Sequence, residues 1–325
     1  YQRLFELKWT PPGRGLWSFG TALTMEKKNS AALQNCAMVS TKDIDRNDPG
    51  QLFGWVMDAL MMGVGVGFDT LGGEKNLPIY DPTEPPQVYE IPDTREGWVE
   101  SVRLLINSFL KPNMYIQEFN YDLIRPLGAP IKGFGGTASG PAPLIQLHKQ
   151  IRSVIGGRAG ETLDSRAIVD IVNLIGTCVV SGNVRRSATL ALGGSEDKDF
   201  MNLKNAEVFP ERNSFDPENP GWAWMSNNSV EAKVGSDFSK IIDGIVRNGE
   251  PGVVWMDVSR QYGRLIDPPN NKDWRIAGYN PCAEQSLESF EFSLVLRLDR
   301  KISSSIEVQV FQTNNYVIKD KLNTQ

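Results

Sequence analysis

Residues 63–69, Gly-Val-Gly-Val-Gly-Phe-Asp, alternate a residue that has no side chain with a β-branched one. Valine favours extended backbone, and in a strand residues two apart share a face. One face of this segment is therefore bare at three successive glycines. A strand interior tolerates such a gap where something fills it, so the pattern predicts a strand that another backbone or a ligand approaches closely. Dinucleotide fingerprints also use spaced glycines, but they need a helix directly after the last one, and none is predicted here. Packing is the favoured cause.

Around this run, helical and strand patterns alternate. Leu52, Trp55, Val56, Ala59 and Leu60 make one apolar face of a helix that Asp48-Pro49 is expected to cap and that ends near Met62. Residues 35–40 read as a short strand with Cys36 at its start. Residues 72–93, rich in Pro and acid, read as a surface excursion. Trp98, Val102, Leu105, Ile106 and Phe109 line a helix over 94–110. Residues 124–140 are a Gly/Pro loop carrying Arg125 and Lys132, and Pro141 opens a helix on which His148 is expected to face solvent. Asp164 caps the next helix, with Ile168, Ile171, Val172 and Ile175 inward. A loop at 181–186 runs into a strand at 187–192. Ser236 is expected to cap a helix to Arg247, and residues 252–255 form a strand. This alternation predicts an α/β chain with a mainly parallel sheet.

Composition narrows the chemistry. The net charge of -5 offers no basic field for direct nucleic-acid binding. No run of 18 apolar residues exists, so no membrane span is expected. The chain starts Tyr1-Gln2-Arg3-Leu4, without Met or a signal peptide, and reads as beginning in mid-protein. Three cysteines, Cys36, Cys178 and Cys282, contain no CxxC and form no disulfide framework, which points to a reducing, cytoplasmic setting. With His148 the only histidine, a His-based metal site and a Ser-His-Asp triad are excluded, and no metal ligands are predicted.

The chemistry-bearing stretch is Asn280-Pro281-Cys282-Ala283-Glu284-Gln285. If extended, it places Asn280, Cys282 and Glu284 on one face, with Pro281 stiffening the approach. A thiol, a carboxylate and a carboxamide then offer a hydrogen carrier, a general base and an orienting group within one substrate's width. The alternative is a loop with an inert buried Cys beside a solvated Glu.

Taken in order, residues 12–17 (Pro-Gly-Arg-Gly-Leu-Trp), 35–36, 61–69, 132–143, 181–193 and 280–288 resemble the catalytic subunit of ribonucleotide reductase, with the adenosylcobalamin-dependent class II enzymes the nearest pattern. The resemblance covers residues 1–292. It implies the first half of a ten-stranded α/β barrel with a catalytic finger loop inside. Cys282 would carry the thiyl radical that removes the ribose 3′ hydrogen, Glu284 would take the 3′ hydroxyl proton, and Asn280 would hold the ribose hydroxyls. Cys36 would be the first of two reducing cysteines. Asp43, Arg125 and Lys132 would contact a deoxynucleotide effector. Gly182, Asn183, Arg185 and Arg186 would link effector to substrate, with Arg185 touching both. Cys178 is expected to be structural. The implied substrate is a ribonucleoside triphosphate, the cofactor adenosylcobalamin, and the reductant thioredoxin or a similar dithiol.

The chain departs from the pattern at one telling place. The second reducing cysteine belongs eleven residues after Cys282, where Ser293 stands. Residues 293–325 alternate like strands but do not resemble the family, and they are expected to be an off-pattern tail, as from a shifted reading frame. A polypeptide that stops at mid-barrel is expected to be poorly stable and incompetent for turnover alone. Two other readings stay open: the iron-dependent class of the same superfamily, acting on diphosphates, and a nucleotide-binding chain without catalysis.

Overall fold

A computed structural model describes residues 2–6, 9–10, 13–26, 33–131, 136–181, 188–216, 219–262, 268–293 and 297–298. In chain order the elements are α1 (Gln2–Phe5), β1 (Trp9–Thr10), α2 (Gly13–Ser18), α3 (Ala22–Met25), β2 (Cys36–Val39), α4 (Gly50–Met61), β3 (Gly65–Asp69), β4 (Glu84–Glu90), α5 (Arg95–Leu110), β5 (Tyr115–Asn120), α6 (Ala142–Ile155) and α7 (Ser165–Val180). There follow β6 (Thr189–Gly193), α8 (Lys198–Asn202), β7 (Ser226–Glu231), α9 (Ser239–Asn248), β8 (Gly252–Val254), α10 (Met256–Tyr262), β9 (Gly278–Tyr279), β10 (Ser286–Leu287), β11 (Glu291–Ser293) and β12 (Arg297–Leu298).

The main sheet runs β11-β2-β3-β6-β7-β8. Its strands β2, β3, β6, β7 and β8 are all parallel, and β11 lies antiparallel to β2. Five parallel strands joined by helical crossovers are the half-barrel the sequence implied, and β11 adds a reversed strand at its edge. The central strands β2, β3 and β6 are buried on both faces, as expected of a parallel sheet. Ala37, Val39, Val66, Phe68, Ala191 and Val230 belong to the core on the helix side, where α4 and α7 pack. Met38, Leu190, Leu192 and Val254 point the other way, into a second core shared with Ile276, Tyr279 and Leu287. Gly67 is in register with Met38, so the bare face of β3 looks into this second core.

The helix boundaries follow local chemistry. Thr94 accepts the Gly97 N–H at 3.0 Å and Asp164 accepts the Ala167 N–H at 2.7 Å, as N-caps do. At α4 the cap comes from elsewhere: the Asn107 carboxamide oxygen accepts the Gly50 N–H at 2.8 Å. Asp48, expected to be the cap, instead accepts from Arg103 Nε at 2.9 Å and Asn107 Nδ2 at 2.8 Å. Burial alone would raise its carboxyl, but these bonds outweigh burial and hold it below the usual range. The helix expected to start at Ser236 starts at Ser239. Residues 13–18 are helical.

Between α4 and α7 the chain makes an excursion in which β4 and β5 pair in parallel, flanked by α5 and α6. His148 on α6 was expected to face solvent; it is only 2% exposed. It stacks on Phe119 with centroids 4.1 Å apart, and its two nitrogens meet Ser101 Oγ at 3.0 Å and Tyr121 OH at 2.8 Å. Ser101 donates its own proton to the Trp98 carbonyl at 2.7 Å. Its oxygen must therefore accept from Nε2–H, which leaves Nδ1 to accept from Tyr121. Every polar atom of the ring is satisfied by a neutral imidazole.

Burial, with help from the Arg152 charge, pushes the His148 pKa down to about 3. The unfolded chain binds a proton near pH 6.5 that the folded chain refuses, so stability falls as pH drops from about 6.5 toward 3. Urea unfolding between pH 7 and pH 5 should show a loss of about 2 kcal/mol from this one group. The His148→Gln chain should show a correspondingly flatter pH dependence; equal slopes in the two chains would contradict the buried, neutral assignment.

Candidate active site

The bare face of β3 is where the finger sits. β9 and β10 form an antiparallel hairpin, with Ser286 opposite Tyr279 and Leu287 opposite Gly278. A Cβ on Gly67 would lie 1.8 Å from the Tyr279 carbonyl oxygen, and one on Gly278 would lie 2.3 Å from the Met38 methyl. A Cβ on Gly65 would meet the Pro281 ring at 3.0 Å. The approaching group is therefore another backbone, one of the two possibilities the sequence pattern allowed.

Residues 280–285 turn tightly at the hairpin's end. Asn280 organises that turn: its N–H donates to the Gln285 carbonyl at 3.0 Å, and its carbonyl accepts the Ala283 N–H at 2.8 Å. Its side-chain oxygen accepts the Gln285 N–H at 2.9 Å. Ala283 takes a left-handed backbone conformation, φ 58°. The stretch is thus not extended, and Asn280, Cys282 and Glu284 do not share one face. Asn280 is fully buried and turned toward the sheet, while Cys282, Ala283 and Glu284 are exposed at the tip. The local hydrogen bonds of an Asn at a turn outcompete the extended form.

Below the turn lies Cys36, buried at the first position of β2. The Asn280 Nδ2 is 3.4 Å from its sulfur. On the other side of β2, Ser293 is the direct antiparallel partner of Cys36. The position where the resemblance puts a second reducing cysteine therefore stands opposite Cys36. The connecting segment is tied down as well: the Ser289 hydroxyl accepts the Ser40 N–H at 2.9 Å, and Phe290 and Phe292 pack on Trp55 with ring centroids 5.2 and 5.4 Å away.

Partial burial, and then the Glu284 charge beside it, push the Cys282 thiol up. A group that is to give up a hydrogen atom must hold it as S–H, so this shift favours a hydrogen carrier over a nucleophilic thiolate. Cys178 is buried with no such neighbour, and burial alone pushes its thiol up to about 12, the mark of an inert structural cysteine.

The residues expected to meet an effector lie elsewhere. Arg125 pairs with Asp93 at 2.7 Å and donates to the Pro130 carbonyl at 3.1 Å. It lines a cavity of about 170 Å³ with Trp98 and Ile131, closed by Cys178 and Val179 at the end of α7. Asp43 is exposed on a 3-10 turn beyond the far end of β2 and does not line this cavity. Lys132, Gly182, Asn183, Arg185 and Arg186 lie outside the described residues. Among the described residues no cluster of His, Cys, Asp and Glu could hold a metal ion, and no helix is long and apolar enough to cross a membrane.

Sequence reasoning missed the finger's mounting at Gly278 and Tyr279. The signal was faint: a single glycine just before the Asn-Pro-Cys stretch, which gains meaning only beside the bare face of β3.

Comparison with known proteins agrees with this geometry. Residues 72–155 match the family described as the insertion domain of B12-dependent ribonucleotide reductase. The chain is 46% identical over 292 residues to the adenosylcobalamin-dependent ribonucleoside-triphosphate reductase of Euglena gracilis, covering 90% of this chain and 39% of that protein. It is 44% identical over 342 residues to a probable enzyme of the same name from Dictyostelium discoideum, covering 100% of this chain and 42% of that one. A crystal structure of a B12-dependent (class II) ribonucleotide reductase superposes with a TM-score of 0.74 at 31% identity, over 89% of this chain and 46% of that chain. The chain spans about two fifths of the length of these curated relatives.

If the Glu284 charge helps keep Cys282 protonated, Glu284→Gln should raise the thiolate fraction. Iodoacetamide labelling of Cys282 at pH 8, followed by peptide mapping, should then speed up by about two- to threefold, a modest factor because the pair is screened by water. An unchanged or slower rate would remove Glu284 from the account of this thiol.

Proposed function

The chain belongs to the B12-dependent (class II) ribonucleotide reductases, and from that premise we propose that it supplies the first half-barrel and the radical-carrying finger of an enzyme reducing ribonucleotides, with ribonucleoside triphosphates as substrates. The observation that carries the reading is the joining of two thiols through one residue: Asn280 reaches Cys36 at 3.4 Å while its own turn presents Cys282 to the outside.

In this reading Cys282, as a thiyl radical, takes the hydrogen from ribose C3′ and later returns it. Glu284 accepts the 3′ hydroxyl proton, which requires it to lie within hydrogen-bond reach once substrate is seated. Asn280, expected to orient the ribose hydroxyls, is fully buried with its carboxamide bonded inward, and here it serves by holding the turn that carries Cys282. Replacing the 2′ hydroxyl by hydrogen, with loss of water, takes two electrons and two protons, both supplied by a thiol pair that closes to a disulfide. Cys36 is the first member of that pair, and position 293 is where the second would stand. The serine there cannot close a disulfide.

The residues present are compatible with adenosylcobalamin. His148, the single histidine of the sequence, is locked between Ser101 and Tyr121, so no imidazole of this chain would be needed to hold the cofactor. Cys282, exposed at the finger tip, is the residue that would face it. When bound, the cofactor would supply the radical. The Arg125 cavity, between the 124–140 loop and the end of α7, is the proposed place for a deoxynucleotide effector. Thioredoxin or a similar dithiol is the proposed reductant, in the cytoplasm, in keeping with three free cysteines.

Hydrogen exchange between adenosylcobalamin and solvent tests the reading, because it needs Cys282 and a cofactor site but no reducing pair. The chain should catalyse it when a deoxynucleotide is present, and Cys282→Ala should abolish it. Nucleotide binding with no exchange would replace the catalytic reading with a binding one.

A further inference from the structure

The glycine seat under the finger sets a distance but does not choose a position. Gly65 and Gly67 are two residues apart on β3, and the finger lies close against both. A strand rises about 3.3 Å per residue, so a hairpin shifted by one such repeat would lie roughly 7 Å away on the same bare face. Directional contacts are needed to select one place. Two of them come from α10. Arg260 Nε donates to the Ile276 carbonyl at 3.0 Å, and the Ser259 hydroxyl is hydrogen-bonded to the Tyr279 hydroxyl. Met256, at the start of the same helix, packs with Ile276, Tyr279 and Leu287 in the second core. Tyr279 is therefore gripped from two sides: its carbonyl rests on Gly67 of the sheet, and its buried ring carries its hydroxyl to the helix. It is the last residue of β9, directly before the turn that presents Cys282.

We infer that Tyr279 is a positioning residue for the finger: its hydroxyl, bonded to Ser259 of α10, fixes where along β3 the finger rests and so where Cys282 stands. Phenylalanine at 279 would fill the same core and lose only this bond, so the hydroxyl can be tested apart from the packing. A fixed seat matters because a misplacement of about 1 Å can cost on the order of a hundredfold in rate. That the seat serves the thiol of Cys282 rests on the reductase reading above; the bond and its hold on the finger do not.

The test is amide deuterium uptake of the full chain, read by mass spectrometry on the peptide covering residues 276–287. Tyr279→Phe and Ser259→Ala should each speed uptake of this peptide about fivefold, the factor expected for one hydrogen bond, while peptides from β2, β3 and β6 keep the parent rate. Ser259→Thr keeps a hydroxyl and should keep the parent rate. The double variant, Tyr279→Phe with Ser259→Ala, should be no faster than the faster single one, because both changes remove the same bond. Multiplied effects in the double variant, or no change in Tyr279→Phe, would overturn the inference. So would a rise shared by β2, β3 and β6, which would report only a loosened fold, or Ser259→Thr as fast as Ser259→Ala, which would assign the effect to packing. The same variants are followed in the Cys282-dependent hydrogen exchange of adenosylcobalamin. Tyr279→Phe and Ser259→Ala should lower its rate at saturating cofactor about tenfold, with half-saturation within about twofold of the parent, and Ser259→Thr should restore it. An unchanged rate in both would overturn the positioning role. A parent chain without any such exchange would sink the reductase reading alone, and the deuterium comparison would still decide whether Tyr279 holds the finger.

Discussion

A carbonyl oxygen resting on a glycine holds this site together. The Tyr279 carbonyl lies where any side chain on Gly67 would begin, and the Pro281 ring rests on Gly65 in the same way. Such contact between a hairpin and the face of a sheet requires that the sheet be bare at alternate positions of one strand. The same alternation lets Val66 and Phe68 point into the helix-side core, so a single strand serves two layers. Overpacking at such a position costs about 1–3 kcal/mol in an ordinary core. Here it would also lift the finger from its seat, and with it the turn that carries Cys282.

From that seat the chemistry follows by short steps. The hairpin fixes the turn, the turn fixes the Asn280 carboxamide, and the carboxamide reaches Cys36. Pro281 stiffens the approach, and the left-handed Ala283 sends the chain back, so Cys282 and Glu284 lie at the tip rather than beside Asn280. The buried thiol faces a carboxamide and the exposed thiol lies beside a carboxylate. The fold makes that difference from three side chains and one backbone turn.

Much of this was legible in the sequence, for reasons that can be named. The helices α4, α5 and α7 are legible from apolar periodicity, and Asp164 acts as the cap its position announces. The glycine run was read as a close approach because glycine in a strand has few other uses. What failed were readings that depend on distant partners. Asp48 lost its capping role to Asn107, 57 residues from the N–H it caps. His148 was read as solvent-facing because nothing local shows that Phe119, Ser101 and Tyr121 will enclose it. The finger was read as extended because alternation of functional groups resembles a strand, while the turn is closed by bonds between residues five apart. Ser293 is singled out only by the resemblance to the family, and its partner in the sheet is Cys36.

The central claim is that the reversed strand β11 brings position 293 against Cys36 beneath the finger. Directly opposed residues of an antiparallel pair have Cα atoms about 4.5–5.5 Å apart, within the range a disulfide spans. The most direct measurement is therefore to oxidise the Ser293→Cys chain and map its disulfides. A 36–293 link formed in preference to any link to Cys282 or Cys178 is the predicted result. A dominant 36–282 or 282–293 link, or no link to Cys36 at all, would contradict the register on which the account stands.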